Sequence, residues 1–153
     1  MQIAPLPEDF LDRVRVRGVD DQGQPVRRLV AAGGEPCRDV LRRARPGEEI
    51  ILASFCPFPQ AGPYREFGPV FVLAAPSDEP VARDGLPLGQ GEYFNAEYVI
   101  RAYGHSGDIL DARRVATAEG PQQVADLLDR PEVAWVDARF PLMGCFACRV
   151  QRA

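Results

Sequence analysis

The chain has 153 residues, 46% of them hydrophobic and 26% charged, which is typical of a single globular domain. Its net charge of −4 argues against a nucleic-acid-binding protein, and the absence of lysine excludes pyridoxal-type and P-loop chemistry. One histidine cannot supply a paired-imidazole zinc motif, and no apolar run approaches the roughly 20 residues that span a bilayer.

The first third of the chain predicts strands. Residues 13–17 alternate Arg and Val, the two-residue period of a half-buried strand. Residues 26–31 predict a second, weaker strand, and residues 37–42 a third that ends before Pro46-Gly47. We therefore expect three strands before residue 46.

Two short segments, residues 50–55 and 70–74, are apolar on both alternating sets of positions. Such runs are typical of strands covered on both faces, so we place them in the middle of the sheet. The proline- and glycine-rich residues 57–69 between them predict an ordered, irregular loop. A second such stretch, residues 76–91, predicts a mobile loop.

The second half of the chain predicts four strands and a helix. The glycine-bracketed residues 104–108 indicate a hairpin between two of the strands. Val124, Leu127 and Leu128 recur at helical spacing after Pro121, which predicts a helix over about 121–130. The strands are expected at residues 98–103, 109–115, 133–140 and 145–152. Together these elements predict an α+β fold in one domain, residues 1–153, in which the helix packs on a mostly antiparallel sheet.

The four cysteines raise the question of a zinc or redox site. Cys145 and Cys148 have CxxC spacing, but residues three apart in a strand point to opposite faces. Cys148 would lie with Phe146 and Val150, and Cys145 with Arg149 on the other face. The open interpretations are a structural thiol, a zinc ligand and a reactive thiol. Because Cys37 and Cys56 are single, we expect no metal site.

Arginines beside two of these cysteines are candidates for ligand binding. Arg38 follows Cys37, and Arg149 follows Cys145 by four residues. One interpretation pairs these arginines with the protein's own carboxylates. The other is an arginine-lined cleft for a carboxylate or phosphate, to which Tyr64 and Arg65 of the proline-rich loop could contribute.

Three further features have modest interpretations. His105 is expected in an exposed turn, because its surroundings lack the strand-to-helix context of a nucleophile elbow. Gly89-Gln90-Gly91 opens like a dinucleotide motif, but Phe94 stands where the third glycine belongs. Trp135 either caps the edge of the core or, if exposed, marks a surface for a partner.

Several segments in a fixed order carry a family resemblance: Pro36-Cys37-Arg38 with Leu41, Pro46-Gly47-Glu48-Glu49, Gly62-Pro63-Tyr64-Arg65, Val70-Phe71-Val72, Arg101-Ala102-Tyr103, residues 131–136, and Gly144-Cys145-Phe146-Ala147 with Arg149-Val150. Over residues 10 to 153 the chain resembles the bacterial family known as domain of unknown function 1203. The resemblance implies no activity, substrate or cofactor. It implies that Cys37 and Cys145 belong to the family pattern, that Cys148 replaces a usual alanine, and that Pro57 and Gly68 stand where other members carry histidine.

The leading functional hypothesis is a small binding domain for a small anionic ligand. Its candidate residues are Cys37, Arg38, Tyr64, Arg65, Cys145 and Arg149. One alternative is an enzyme that uses Cys37 or Cys145 as nucleophile, and another is an interaction protein, for which a homodimer is expected. The residues identify no catalytic group and predict no cofactor, nucleic-acid partner or membrane contact. The amino-terminal residues lack a secretory pattern, so we expect a cytoplasmic protein.

Overall fold

The computed structural model describes residues 1–88 and 93–153, and these contain ten strands and two short α-helices. Helix α1 (Glu8–Asp12) continues into one π-helical turn (Arg13–Arg17), and helix α2 (Gly120–Leu128) lies in the second half. The strands are β1 (Gln2–Ala4), β2 (Arg27–Val30), β3 (Pro36–Cys37), β4 (Arg42–Arg43), β5 (Glu49–Phe55), β6 (Gly68–Leu73), β7 (Glu97–Gly104), β8 (Ile109–Ala116), β9 (Val133–Arg139) and β10 (Phe146–Gln151).

The described strands form two five-stranded sheets. Sheet I has the order β1-β10-β9-β7-β8 and is antiparallel throughout. Sheet II has the order β2-β5-β6-β3-β4 and contains one parallel pair, β3 with β6. The predicted α+β, mostly antiparallel fold is confirmed, and β5 and β6 lie in the interior of their sheet as predicted. The strands, however, are divided between two sheets.

The prediction of a strand at residues 13–17 is wrong, because this segment is helical. Phe10 and Val14, four positions apart, are both buried against sheet II, which is the spacing of one helix face. Val16, which a strand would bury with Val14, is 82% exposed. The helical period thus begins at Phe10 and outweighs the local alternation. Gly18, at φ 66°, ends the turn.

The prediction of one strand over residues 37–42 is also wrong. The segment is a hairpin in which Cys37 of β3 pairs with Arg42 of β4, and residues 38–41 form the turn. Leu41 has φ 52°, in the left-handed region, and is 1% exposed. Its side chain belongs to the core of sheet I, so this turn connects the two sheets.

Each sheet buries one helical segment. Val124, Leu127 and Leu128 of α2 pack in the core of sheet I, and α1 packs on sheet II. The two sheets are in contact at Phe146 of sheet I, whose ring centre lies 5.4 Å from that of Phe55 in sheet II. Neither helix in the described residues is long or apolar enough to cross a membrane.

A β-bulge in β10 changes the predicted direction of its side chains. Phe146 pairs with Arg139, whereas Cys148 pairs with Ala138, so Ala147 is an extra residue. Phe146 therefore packs in the core of sheet II, while Cys148 packs in the core of sheet I. The prediction that Phe146 and Cys148 share a face is wrong for this reason.

Candidate functional site

A cavity of about 490 Å³ lies beside the β3–β4 hairpin. Leu52 and Phe71, which are register partners on β5 and β6, line it from sheet II. The segment between β9 and β10 lines another side. The remaining lining residues are Pro36, Arg38, Arg43, Pro69, Asn95, Phe140, Pro141, Leu142, Met143 and Cys145. Two of the predicted site residues, Arg38 and Cys145, therefore line the same cavity.

Arg38 is a buried cation, only 4% exposed. Its Nε donates to the carbonyl of Phe146 at 2.8 Å, and its Nη1 donates to the carbonyl of Pro36 at 2.5 Å. The guanidinium carbon lies 5.1 Å from the centre of the Phe140 ring. Burial lowers the pKa of Arg38, but a guanidinium remains charged in neutral solution. No carboxylate of residues 1–88 or 93–153 forms an ion pair with it.

Two buried arginines bind the carbonyls on either side of Cys145. Arg38 binds that of Phe146, and Nη1 of Arg139 donates to that of Gly144 at 3.0 Å. Cys145 is half-buried and also lines a second cavity of about 170 Å³, which includes Arg139 and Glu66. The thiol is therefore held at the junction of two cavities.

Unlike Arg38, Arg139 has a carboxylate partner. Glu66, from the loop before β6, forms a close ion pair with Arg139 and lies 3.6 Å from Nη1 of Arg101. Arg139 is 5% exposed, so its charge is neutralised within the protein. Of the two arginines around Cys145, Arg38 is the one without a carboxylate of the described chain.

In comparison with known proteins, the chain matches the family model described as protein of unknown function (DUF1203) over residues 34–152. The chain belongs to this family. No curated protein and no solved structure matches the chain.

The DUF1203 match contains all six predicted site residues, and it begins after α1 and β2. Residues 1–33 nevertheless complete both sheets of this DUF1203 domain. β1 pairs with β10 in sheet I, and β2 pairs with β5 in sheet II.

In this DUF1203 domain Arg149 lies away from the Arg38 cavity. It lines a different cavity of about 310 Å³, stacks 4.4 Å from the centre of the Trp135 ring, and binds Asp137 through two hydrogen bonds. For Arg149, the interpretation that it pairs with a carboxylate of the protein itself is therefore confirmed. Trp135 itself is buried, so it caps the core.

Tyr64 and Arg65 do not reach the Arg38 cavity either. Both side chains are exposed. Arg65 stacks over the ring of Phe67 at 5.4 Å, and its Nε donates to the sulfur of Cys56 at 3.4 Å. The expected convergence of Arg38, Arg65 and Arg149 on one pocket is therefore absent from the described residues.

Two of the four free thiols are core groups. Burial, followed by the charge of Asp39, raises the pKa of Cys37 to about 12. Burial likewise raises the pKa of Cys148. Neither residue lines the Arg38 cavity. Cys37 is thus poorly suited to act as a thiolate nucleophile, and of the two cysteines predicted at the site, Cys145 is the one at the cavity.

Several remaining features can be placed. His105 is exposed in the turn between β7 and β8, as predicted. Gly89-Gln90-Gly91 lies outside the described residues, and residues 76–88 of the predicted mobile loop contain no helix or strand. The described residues contain no group of three or more His, Cys, Asp or Glu arranged to hold a metal.

Sequence reasoning missed the aromatic and aliphatic part of the site. The sequence predicts only that Phe140 ends a strand and that Leu142 and Met143 lie in the connection to the next strand. A signal was present, because Leu142 and Met143 are adjacent large apolar residues in a short link between two strands. Such residues have no strand face to pack on, and they are 99% and 88% exposed at the cavity rim.

Proposed function

We propose that this protein is a binding domain for a small anionic ligand, held in the cavity beside the β3–β4 hairpin. The observation that supports it is the buried guanidinium of Arg38, which lines the cavity without a carboxylate partner in the described chain. The anion would meet Nη2, which makes no hydrogen bond in the described residues.

The energetic argument starts from the cost of burying a charge. Moving an ion from water into a protein interior costs several kcal/mol unless an opposite charge or strong hydrogen bonds compensate. Two backbone carbonyls satisfy part of the donor capacity of Arg38, but they carry only partial charges. A ligand carboxylate or phosphate would supply the missing negative charge and accept from the guanidinium edge.

A second candidate function is supported by Cys145, which lines the same cavity and is half-buried. An anionic substrate bound by Arg38 would lie beside this thiol, as a cysteine-dependent enzyme requires. The thiol would have to react faster with an anionic alkylating reagent, iodoacetate, than with neutral iodoacetamide, once the intrinsic rates on free cysteine are divided out. Equal normalised rates would contradict this second function.

The state of the cysteines suggests the cellular compartment in which the protein works. All four cysteines are free, in keeping with a reducing compartment. We therefore propose a cytoplasmic location, because the cytoplasm keeps thiols reduced. The resemblance to a bacterial family favours a bacterium as the source. Four intact thiols in protein isolated under non-reducing conditions would agree with this assignment, and a disulfide in that material would contradict it.

Thermal unfolding with added anions tests the proposal. Acetate, hexanoate, succinate and phosphate are compared at constant ionic strength, because a ligand that binds only the folded state raises the melting temperature. At least one of them should raise it in the native protein and in the control Arg114→Met, whose arginine is exposed on β8. Arg38→Met should abolish the increase. No increase with any anion, or an equal increase in Arg38→Met, would overturn the proposal.

A spectroscopic measurement covers the case in which Arg38→Met does not fold. The Nε–H of Arg38 is held by a carbonyl and buried, so it should give a separate ¹⁵N resonance in the native protein. An anion in the cavity should shift this resonance in a saturable manner while that of exposed Arg114 stays in place. A resonance that does not move with any anion contradicts the proposal.

A further inference from the structure

The lining of the Arg38 cavity is mostly apolar. Eight of its twelve lining residues are Pro, Leu, Phe or Met. The other four are the polar residues Arg38, Arg43 and Asn95 and the thiol-bearing Cys145. A ligand that fills this space must therefore bury mostly carbon, since unpaired polar atoms are costly in such surroundings.

The charge at the cavity favours a single negative charge. Arg38 offers one guanidinium without a carboxylate partner in the described chain. Arg139, the other arginine beside Cys145, is neutralised by Glu66. Arg43, which also lines the cavity, is engaged within the protein, since it donates to the carbonyls of Gly34 and Tyr93. A phosphate dianion would bring a second charge and two further oxygens into an apolar space, where their desolvation would be poorly compensated. A carboxylate instead matches one guanidinium edge in charge and in shape.

The size of the cavity allows more than a carboxylate. Its volume of about 490 Å³ lies within the range of small-molecule sites, roughly 300–1,000 Å³. Phe71 and Phe140 offer ring surfaces, and the exposed Leu142 and Met143 offer further apolar contact at the rim. Acetate alone would leave these surfaces unused.

Resting on the proposed function, we infer that the ligand is a monocarboxylate with an apolar body. Its carboxylate meets Arg38, and its hydrocarbon part lies against Leu52, Phe71 and Phe140. Selection between carboxylates then comes from the hydrocarbon, because each carries the same charged group. Recognition of the anion and recognition of the body are consequently separable by mutation.

Calorimetric titration with acetate, butanoate, hexanoate, octanoate, hexanamide and inorganic phosphate tests this inference. Each added methylene should lower the Kd by about fourfold until the cavity is full. Hexanamide, which has the same body without the charge, should bind at least tenfold more weakly than hexanoate. Phosphate should bind more weakly than hexanoate.

Two variants separate the parts of the site. Leu52→Trp fills the apolar side of the cavity and should weaken octanoate at least tenfold while changing acetate by less than threefold. Leu110→Trp is the matched control, because Leu110 lies exposed on β8 and does not line the cavity. Arg38→Met should weaken hexanoate to the level of hexanamide. An unchanged octanoate affinity in Leu52→Trp would overturn the inference.

The outcomes distinguish this inference from the proposed function. If acetate or phosphate binds through Arg38 as tightly as hexanoate, the apolar body is wrong and the anion site stands. If hexanamide binds as tightly as hexanoate, the charge plays no part and both proposals are overturned. Absence of binding by every compound likewise overturns both.

Discussion

Arg149 and Asp137 lie directly opposite each other on β10 and β9 and form a two-point ion pair. Nε of Arg149 donates to Oδ1 at 2.8 Å, and Nη2 donates to Oδ2 at 2.9 Å. Asp137 is 0% exposed, and its burial raises the pKa of the carboxyl in spite of this partner. Arg149 is therefore a structural counterion of the buried Asp137 carboxylate.

Replacing Arg149 should destabilise the protein strongly. Arg149→Met leaves the carboxylate of Asp137 buried without its two-point partner, and the expected loss is about 3–5 kcal/mol of unfolding free energy. The double variant Arg149→Met with Asp137→Leu should recover at least half of that loss. Urea unfolding measures both. A double variant that is less stable than the single one would contradict the assigned pairing.

Gly120, the first residue of α2, should not tolerate a side chain. A Cβ at this position would overlap the hydroxyl of Tyr98, which is buried under the helix start. Gly120→Ala should therefore cost about 1–3 kcal/mol by overpacking. The control is Gly85→Ala, where a Cβ meets nothing within 4 Å. Urea unfolding of the two variants provides the comparison, and equal stabilities would refute the close contact.

The hydroxyl of Tyr98 offers a second test of the same contact. This buried atom has no hydrogen-bond partner in the described residues, so it contributes overlap with a new Cβ but little stability. Tyr98→Phe should change the unfolding free energy by less than about 1 kcal/mol. Combined with Gly120→Ala, it should recover only part of the loss, because Cζ of the ring would still lie 2.4 Å from the new Cβ. No recovery would mean that the strain lies elsewhere in α2.

Leu41 should show an inverted order of substitutions. Leu41→Ala and Leu41→Gly both delete a buried side chain, and glycine elsewhere costs roughly 0.5–1 kcal/mol more than alanine. At φ 52°, however, a Cβ costs about 1–2 kcal/mol, which glycine avoids. Leu41→Gly should thus equal or exceed Leu41→Ala in stability. The control pair at Leu127, which is buried within α2, should keep the usual order. The usual order at Leu41 as well would show that its backbone is unstrained.

Glu48 should make stability depend on acid pH. Hydrogen bonds from Arg42, at 2.9 and 2.8 Å, hold the pKa of Glu48 at about 2, below the ordinary 4.5. Because the folded carboxyl stays ionised where the unfolded one is protonated, its contribution is complete above about pH 4.5. It is lost as the pH falls towards 2. The contribution of this partly exposed pair is about 1–2 kcal/mol.

Urea titrations between pH 2 and 7 check this dependence. The difference in unfolding midpoint between the native protein and Glu48→Gln should be constant above pH 5 and should shrink below it. Glu49→Gln is the matched control, since Glu49 is an exposed neighbour without an ion pair to another described residue. A Glu48→Gln difference that persists unchanged at pH 2 would contradict the lowered pKa.

The four thiols should divide into two pairs on alkylation. Cys56 and Cys145 are half-buried, whereas Cys37 and Cys148 are buried and have raised pKa values. Native protein treated with iodoacetamide at pH 8 should gain two labels, and denatured protein four, by mass spectrometry. Cys145→Ser should lose one of the native labels. Labelling of Cys37 as fast as Cys56 would show that the hairpin opens readily.

Much of the fold could be predicted because strand patterns are local. The expected strand at residues 109–115 is observed at Ile109–Ala116, and the helix expected near 121–130 is observed at Gly120–Leu128. Prediction failed where a residue's face depends on distant contacts. Val14 follows Phe10 into the core of sheet II, and the bulge at Ala147 reverses the side chains before it.

The candidate site was predicted only in part. Arg38 and Cys145 line one cavity. Arg149 instead pairs with Asp137. Arg65 donates to the sulfur of Cys56 and stacks over Phe67. In sequence, all three arginines look alike. Their partners come from other strands and loops, so composition and spacing could not tell a counterion from a cation facing a cavity.

The amino-acid sequence by itself determined the fold class, the family and the positions of most strands, because these depend on neighbouring residues. Only the tertiary structure decided which arginine has a carboxylate partner and which has none in the described chain. Arg38 binds the carbonyl of Phe146, 108 positions away, and its charge is left without a carboxylate among the described residues. Electrostatic pairing depends on distances in the folded protein, and these cannot be read from the order of residues in the chain.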